Sequence, residues 1–428
     1  MSGITSAINT ALSGLQLFEA GISTVSNNLA NESTPGYAVE TVNAATAAST
    51  PGQPGNGVQA PQIIRAASGF AAALLRGANS ASQAASNQAS QLTTISNALT
   101  NNGDVQTAIN QFFQDISTLA ANPNSAAQRQ TVLADAQTVT SSFQSAAGVI
   151  NNAISGASQT LGQSVASANN LLGQLAVINK TLALTPNDPS LLDQQQSALN
   201  SLSSLISVNA LPQANGSVIL ASGGTVLLDQ SGAQTLAAVN GAGGAAPTIT
   251  AGKGATPVAV TGADGAIGGS VASWQAGAAA LQSLGTFAAV FAGSVNAAQA
   301  QGLTPSGVPG GAIFSVPSPS VTPSAGNTGT ATLTAQISNS SALPADGGPF
   351  VLAYSSGTGW SAADQASGQT YAATGTPPSV AGLTLNITGT PANGDQFVLN
   401  PAPGAATGIA VSAASPNAIA AADPYVAT

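Results

Sequence analysis

Acid–base, nucleophilic and metal chemistry in this chain would fall to carboxylates and hydroxyls, because its 428 residues include neither histidine nor cysteine. The carboxylates are poorly arranged for such work. All three glutamates, Glu19, Glu32 and Glu40, lie in the first 40 residues, and the aspartates are spread out, with Asp188 and Asp193 the nearest pair. Asp188 precedes Pro189 and so reads as a helix N-cap. Glycine-rich runs such as the one at 241–247 lack the Gly-Lys-Ser/Thr of a phosphate loop. No catalytic residue, cofactor or metal is therefore expected, and an enzyme is not expected either. The five basic residues, Arg65, Arg76, Arg129, Lys180 and Lys253, are scattered in a chain of net charge −9. That leaves no basic footprint for nucleic acid or an anionic lipid surface.

Charged residues make up 4% of the chain, against about 25% in an ordinary soluble domain. Hydrophobic residues reach 43% but aromatics only 4%, so the core must lean on alanine and on closely approaching helices. Absence of cysteine rules out a disulfide framework and a thiolate metal site. No basic leader precedes the first apolar residues, and no run approaches 18 apolar residues, so neither a Sec signal peptide nor membrane insertion is expected. What remains is a protein that works through its surfaces.

The element most suited to that work comes first. Ile4, Ile8, Ala11, Leu15, Phe18, Ile22, Val25 and Leu29 follow each other at spacings of four and three, an unbroken heptad seam. A 3.5-residue period sustained over more than three heptads marks a helix that lies along a partner helix. Of its other positions only Glu19 is charged, where a solvated coiled coil would carry Lys/Glu pairs. The helix is stopped by Thr34-Pro35-Gly36-Tyr37, which has Pro and Gly where a type II turn asks for them, and Asn31 is a candidate left-handed terminator.

This stop belongs to a longer pattern. Asn27, Asn28, Leu29, Ala30, Asn31, Thr34, Pro35, Gly36 and Tyr37, following a heptad helix that starts near Met1, resemble the N-terminal signature of the bacterial flagellar axial proteins. Further stretches resemble one branch of these, the hook-associated protein 1 family: residues 111–137, 171–182, 191–208 and 294–307, and in the tail 326–337, 382–401 and 416–424. The family pattern has charged residues or a histidine where this chain has Gln195, Gln196 and Gln299, so ion pairs of the family at those positions are not carried over. The resemblance also implies a second heptad helix at the C-terminus, paired with the first. This chain stops at Asp423-Pro424-Tyr425-Val426-Ala427-Thr428 without one, which reads as truncation, and the seam over 4–29 is then expected to lack a full cover from its own chain.

The rest of the chain gives an α+β multidomain organisation. Residues 1–35 read as the terminal coiled-coil helix, 36–66 as an extended connector, and 67–210 as an elongated helical domain. Within that domain Asp104, Ser125 with Gln128, and Asp188 supply caps. Eleven-residue spacing of Phe143, Ile154 and Val165, and of Ile150, Leu161 and Leu172, predicts a nearly straight helix of about 40 residues. Residues 211–269 read as a β-rich insertion with a hairpin around Gly223-Gly224. Val271, Trp274, Ala278, Leu281, Leu284, Phe291 and Val295 then mark a returning helix over 270–302. Residues 303–428 read as an outer all-β domain, with strands at 330–337, 349–354, 383–388 and 395–400.

The resemblance implies a structural adaptor that joins hook and filament. Its implied partners are copies of itself, the hook protein, the second junction protein of the hook-associated set and an export chaperone. It would leave the cell by the flagellar type III route and reside in the extracellular flagellum. Another axial protein, of hook or filament type, and a secreted surface adhesin outside the flagellum are the rival readings.

Overall fold

The computed structural model describes residues 2–34, 37–48, 55–100, 104–241, 245–365 and 367–422. The chain divides into two units. The first comprises Met1–Asn87, Gln159–Asn240 and Pro247–Ala272; the second comprises Gln88–Ser158, Gly241–Ala246 and Ser273–Thr428.

The heptad seam forms one helix, α1 (Ser2–Ala30). Strands β1 (Glu40–Asn43) and β2 (Gln62–Arg65) follow as an antiparallel ribbon that pairs Glu40 with Arg65 and Asn43 with Gln62. The helices α2 (Gly69–Thr100), α3 (Val105–Ala121), α4 (Ala126–Leu182) and α5 (Pro189–Leu205) come next. Asp104 caps α3 by accepting from Thr107 N–H, and Asp188 caps α5 by accepting from Leu191 N–H. At α4 the box is half made: Ser125 Oγ accepts from Gln128 N–H at 3.2 Å, but the Gln128 amide donates instead to Asp115 of α3 at 3.1 Å. α4 runs 57 residues, longer than the 40 its hendecads predict. Val132 and Val139, buried in its first turns, continue the same eleven-residue spacing ahead of Phe143 and Ile150.

In the first unit, four short strands follow: β3 (Asn209–Pro212), β4 (Val218–Ser222), β5 (Thr225–Asp229) and β6 (Gly232–Ala233). They form one antiparallel sheet in chain order. Gly223 and Gly224 join β4 to β5 with φ of +51° and +80°, the double positive φ of a type I′ hairpin. β7 (Leu236–Val239), β8 (Thr248–Ala251) and β9 (Thr256–Val258) make a second, three-stranded sheet. The inward residues of both sheets, among them Leu220, Leu228, Leu236 and Ile249, share one core with Leu161, Leu172 and Leu175 of α4 and Leu199 and Leu202 of α5.

α6 (Gly265–Gln301) is long and apolar enough to cross a bilayer by length and composition. Of its most apolar stretch 44% is buried inside the protein. In the second unit Leu284, Ala288, Phe291, Ala292 and Val295 pack with Phe112 of α3 and Val132, Val139, Phe143 and Ile150 of α4. Phe112, Phe291 and Phe314 form a triangle of rings with centroids 5.1–6.0 Å apart.

The remaining strands are β10 (Phe314–Ser315), β11 (Ser320–Pro323), β12 (Thr332–Ile337), β13 (Phe350–Ser355), β14 (Gly359–Asp364), β15 (Thr370–Ala372), β16 (Ser379–Val380), β17 (Leu383–Thr388) and β18 (Gln396–Asn400). The one-turn helix α7 (Ala405–Gly408) and β19 (Ala410–Val411) complete the set. A five-stranded sheet of order β11-β18-β13-β14-β15 and a three-stranded sheet of order β12-β17-β16 contribute alternate residues to one core. Leu333, Leu383 and Leu385 from the smaller sheet meet Phe350, Leu352, Trp360, Phe397 and Leu399 from the larger. β10 pairs with β19.

Candidate assembly surface on helix α1

The 29 residues of α1 span about 44 Å at 1.5 Å each. Along that length the seam is open: Ile4, Ile8, Leu15, Phe18, Ile22, Val25 and Leu29 are each 60–73% exposed, and Ala11 is exposed with them. The opposite side, built of Ser13, Leu17, Thr24, Asn28 and Asn31, is the one its own chain covers. There Ser13 Oγ accepts from Val58 N–H at 3.1 Å, and Thr24 is buried. Gly57, at φ +83°, lies so close that a Cβ on it would sit 2.2 Å from Ser13 Oγ.

The asparagine motif is the device that folds the connector back. Asn28 donates its amide to Glu40 O at 2.8 Å, and its Oδ1 accepts from Glu40 N–H at 2.9 Å and from Tyr37 Oη–H at 2.7 Å. Asn27 reaches the buried Glu40 carboxylate at 3.3 Å. Asn31 donates to Asn27 O and Oδ1, and Thr34 Oγ donates to Asn31 Oδ1. Asn31 is not a left-handed terminator. Its N–H still donates to Asn27 O at 3.1 Å in the helical manner, and it is absent from the positive-φ residues. Tyr37 N–H donates to Thr34 O at 3.1 Å, closing a four-residue turn, while Pro35 and Gly36 themselves lie outside the described residues. The motif residues therefore set the course of the chain after α1, and the seam is left for something else.

A second anchor fixes the ribbon. Arg65 at the end of β2 pairs with Asp193 of α5, and this is the only ion pair among the described residues. Burial, reinforced by the Glu40 and Asp193 carboxylates, raises the Tyr37 phenol above its ordinary pKa, against the lowering effect of Arg65. Asp188 and Asp193 are thus both in structural use, one as a cap and one as a salt-bridge partner. No group of three metal-ligating side chains occurs among the described residues. Gln195, Gln196 and Gln299 satisfy their amides on Gly216 O, Asn200 Oδ1 and Ala418 O at 2.9–3.1 Å, so neutral hydrogen bonds stand where charges were expected from the family pattern.

One pair of ionisable groups escaped the sequence. Asp115 of α3 and Asp135 of α4, twenty residues apart, interact across the helical hairpin. Asp115 is held ionised, its pKa lowered first by the Gln111 amide at 2.7 Å; Asp135 is pushed up to about 6, chiefly by burial. The signal available was symmetry: both residues lie ten from Ser125, at the turn between the helices.

The comparisons with known proteins agree with this architecture. The description "Flagellar hook-associated protein FlgK helical domain" matches residues 67–314, and "Flagella basal body rod protein" matches residues 8–37, the stretch that holds most of the seam and the motif. Flagellar hook-associated protein 1 of Salmonella typhimurium is 30% identical over 425 residues, covering 93% of this chain and 75% of the relative. That of Escherichia coli is 28% identical over 93% of this chain and 76% of the relative. The solved structure of the flagellar hook junction protein FlgK from Burkholderia pseudomallei superposes with a TM-score of 0.70 at 28% identity, over 81% of this chain and 66% of that one. A helical domain with a β insertion, an axial-type first helix and an outer β domain thus agree with the relatives in sequence and in fold, and the chain belongs to the family of flagellar hook-associated protein 1, the structural proteins that join hook and filament in the bacterial flagellum.

Proposed function

We propose that α1 is the assembly element of this chain, buried by sister copies when the axial tube of the hook–filament junction forms. The observation that carries this is the seam itself: seven large apolar side chains in one line, each at least 60% exposed. Covering a Val, Leu, Ile or Phe side chain yields about 1.5–3 kcal/mol, so the seam offers on the order of 10–20 kcal/mol before association costs are subtracted. A contact of the same kind repeated from copy to copy closes into a ring or continues as a helix, which is the geometry a tubular junction needs. The few charges on α1 lower the desolvation cost of such burial.

In this reading the hook protein lies on one side of the junction and the second junction protein on the other. An export chaperone accompanies the chain along the flagellar type III route, and the protein performs no catalysis. The seam is tested by Phe18→Ser with Ile22→Ser in the native strain. Hooks without filaments and flagellin shed into the medium are the expected result; normal filaments in the presence of the variant at wild-type level would overturn it.

A further inference from the structure

The arm formed by α1 and the β1–β2 ribbon holds together by bonds of its own. Asn28 clamps Glu40, Ser13 Oγ accepts from Val58 N–H, and Glu40 stands opposite Arg65 in the ribbon. None of the arm's described residues enters the buried apolar clusters of either unit. Toward α5 the arm faces a polar cleft of about 360 Å³, with Asn27, Tyr37 and Glu40 on one side and Ser190 and Gln194 on the other. Beside this cleft Arg65 reaches across to Asp193, which also lines it.

Arg65 has a second acid within reach. Glu40 N–H and O are both taken by Asn28, while Ala66 N–H donates to Val39 O at 2.8 Å. That bonding makes Glu40 and Arg65 a non-hydrogen-bonded cross-strand pair, whose side chains leave the same face with Cβ atoms about 4.5–5.5 Å apart. Opposite charges so placed ordinarily pair with each other. Here the guanidinium turns to α5 instead, its Nε is buried without an acceptor, and the buried Glu40 carboxylate accepts from the Asn27 amide at 3.3 Å. Tyr37 registers the whole cluster, since its phenol feels Glu40, Asp193 and Arg65 together. Two carboxylates thus share one guanidinium, and either can satisfy it.

We propose that Arg65 is a two-position latch, which on Asp193 holds the arm against α5 and on Glu40 closes within the ribbon and sets the arm free. The released arm turns about Ala66–Ser68, the exposed link to α2. The exchange costs little, because the guanidinium keeps a carboxylate in both positions and is never left buried and unpaired. The latch stands on the arm's own contacts. Only its use, freeing α1 to take the orientation that a neighbouring copy requires, rests on the assembly reading above.

The chain has no cysteine, so Ser23→Cys on α1 and Ser201→Cys on α5 give two unique positions for spin labels, and the distance between them in the full chain reports docking. Asp193→Asn should lower the ratio of docked to released arms about tenfold, Glu40→Gln should raise it, and Asp193→Glu, which keeps the carboxylate, should retain docking. Hydrogen exchange at Ala66 N–H, which flanks the Glu40–Arg65 pair, separates partner exchange from simple release. Glu40→Gln should not speed it while Asp193 is present, and should speed it about two- to fivefold once Asp193→Asn has sent Arg65 to Glu40. Circular dichroism checks that each variant folds. A label distance unmoved by Asp193→Asn would overturn the latch, and release without any dependence of Ala66 exchange on Glu40 would overturn the second position. Failure of the assembly reading is seen elsewhere: normal filaments with Phe18→Ser and Ile22→Ser would remove the use of the latch and leave these distances as they are.

Discussion

The Asn28 side chain pairs with both backbone groups of Glu40, twelve residues further on, as a neighbouring strand would. The same arrangement recurs three times. Asn169 holds Leu236 N–H and O at 2.8 and 2.9 Å, Asn179 holds Val218 at 3.0 and 2.7 Å, and Asn296 accepts from Phe314 N–H at 3.0 Å and donates to its carbonyl at 2.7 Å. Each captured residue opens a strand: β1, β7, β4 and β10. A helical asparagine thus supplies the donor and acceptor that the strand's first residue would otherwise lack, and it does so without charge. In a chain with 4% charged residues, amides do much of what ion pairs do elsewhere.

Asn28→Ala should therefore release the connector from α1 without unfolding the rest. Three hydrogen bonds are lost and Glu40 N–H is left without its acceptor, a local loss of about 2–3 kcal/mol. Hydrogen exchange should show Glu40 N–H deprotected while the amides of β4 stay protected. Tyr37→Phe, which removes one of the three, should have a smaller effect in the same place. Equal protection at Glu40 in wild type and Asn28→Ala would refute the clamp.

Asp395 performs a similar task at the edge of the outer sandwich, where its carboxylate accepts from Thr328, Gly329 and Ala392 N–H at 2.8–3.3 Å. These bonds lower its pKa, led by the one from Ala392. A depressed folded value means the contribution to stability is present above the ordinary aspartate pKa and is lost as pH falls through the depressed one. Asp395→Asn should lower the melting temperature at neutral pH and reduce the difference between neutral and strongly acidic conditions. A melting curve that is unchanged at neutral pH would remove the carboxylate from the account.

How legible all this was depended on how each feature writes itself into residues. Strands β12 and β17 alternate apolar and polar residues over six positions, which marks their inward faces, whereas β13 and β18 show as short apolar runs of the kind a strand buries. The caps at Asp104 and Asp188 were readable because a cap is local. The seam of α1 was readable because nothing but periodicity defines it. The full length of α4 was not, since the eleven-residue rows taken from the sequence reach only from Phe143 to Leu172, while the helix buries Val132 and Val139 before them and Leu175, Ile178 and Leu182 after them. The asparagine captures were invisible too. Asn28 and Glu40 are close in sequence, but Asn169 and Leu236 are 67 residues apart, and an asparagine on a helix face carries no mark of the strand it holds.

The two glycines of the β4–β5 hairpin should respond very differently to substitution. A Cβ at Gly223 would lie 2.1 Å from Ala259 O and 2.7 Å from Ala259 N, and backbone cannot yield as a side chain would. At Gly224 the space is open and only the positive φ is at stake. Gly224→Ala should cost about 1 kcal/mol, and Gly223→Ala several times more, because it must separate the hairpin from the chain before α6. Urea denaturation of the two variants, read by circular dichroism, checks the order; similar midpoints would mean that the close approach at Gly223 is not maintained in solution.

The carboxyl pair across α3 and α4 makes the second unit sensitive to pH near neutrality. Asp115 is supplied with two amide donors, from Gln111 and Gln128, so it is the member that carries the charge. Asp135 Oδ2 is buried without a donor of its own, so it is the member that keeps the proton. With its folded pKa raised to about 6, Asp135 stabilises the fold most fully below the ordinary aspartate value, and that contribution is lost as pH rises through 6. Discounted for partial exposure, the loss is on the order of 1–2 kcal/mol. Asp135→Asn preserves a donor toward Asp115 at every pH and should make the unit more stable than wild type at pH 8, yet nearly equal to it at pH 5. Asp115→Asn removes the charged neighbour but leaves burial, the larger cause, in place, so the pH step should shrink without vanishing. Denaturant titrations at pH 5 and pH 8 separate these outcomes, and a wild-type stability that rises between the two values while Asp135→Asn follows it in parallel would show that the proton is not shared here.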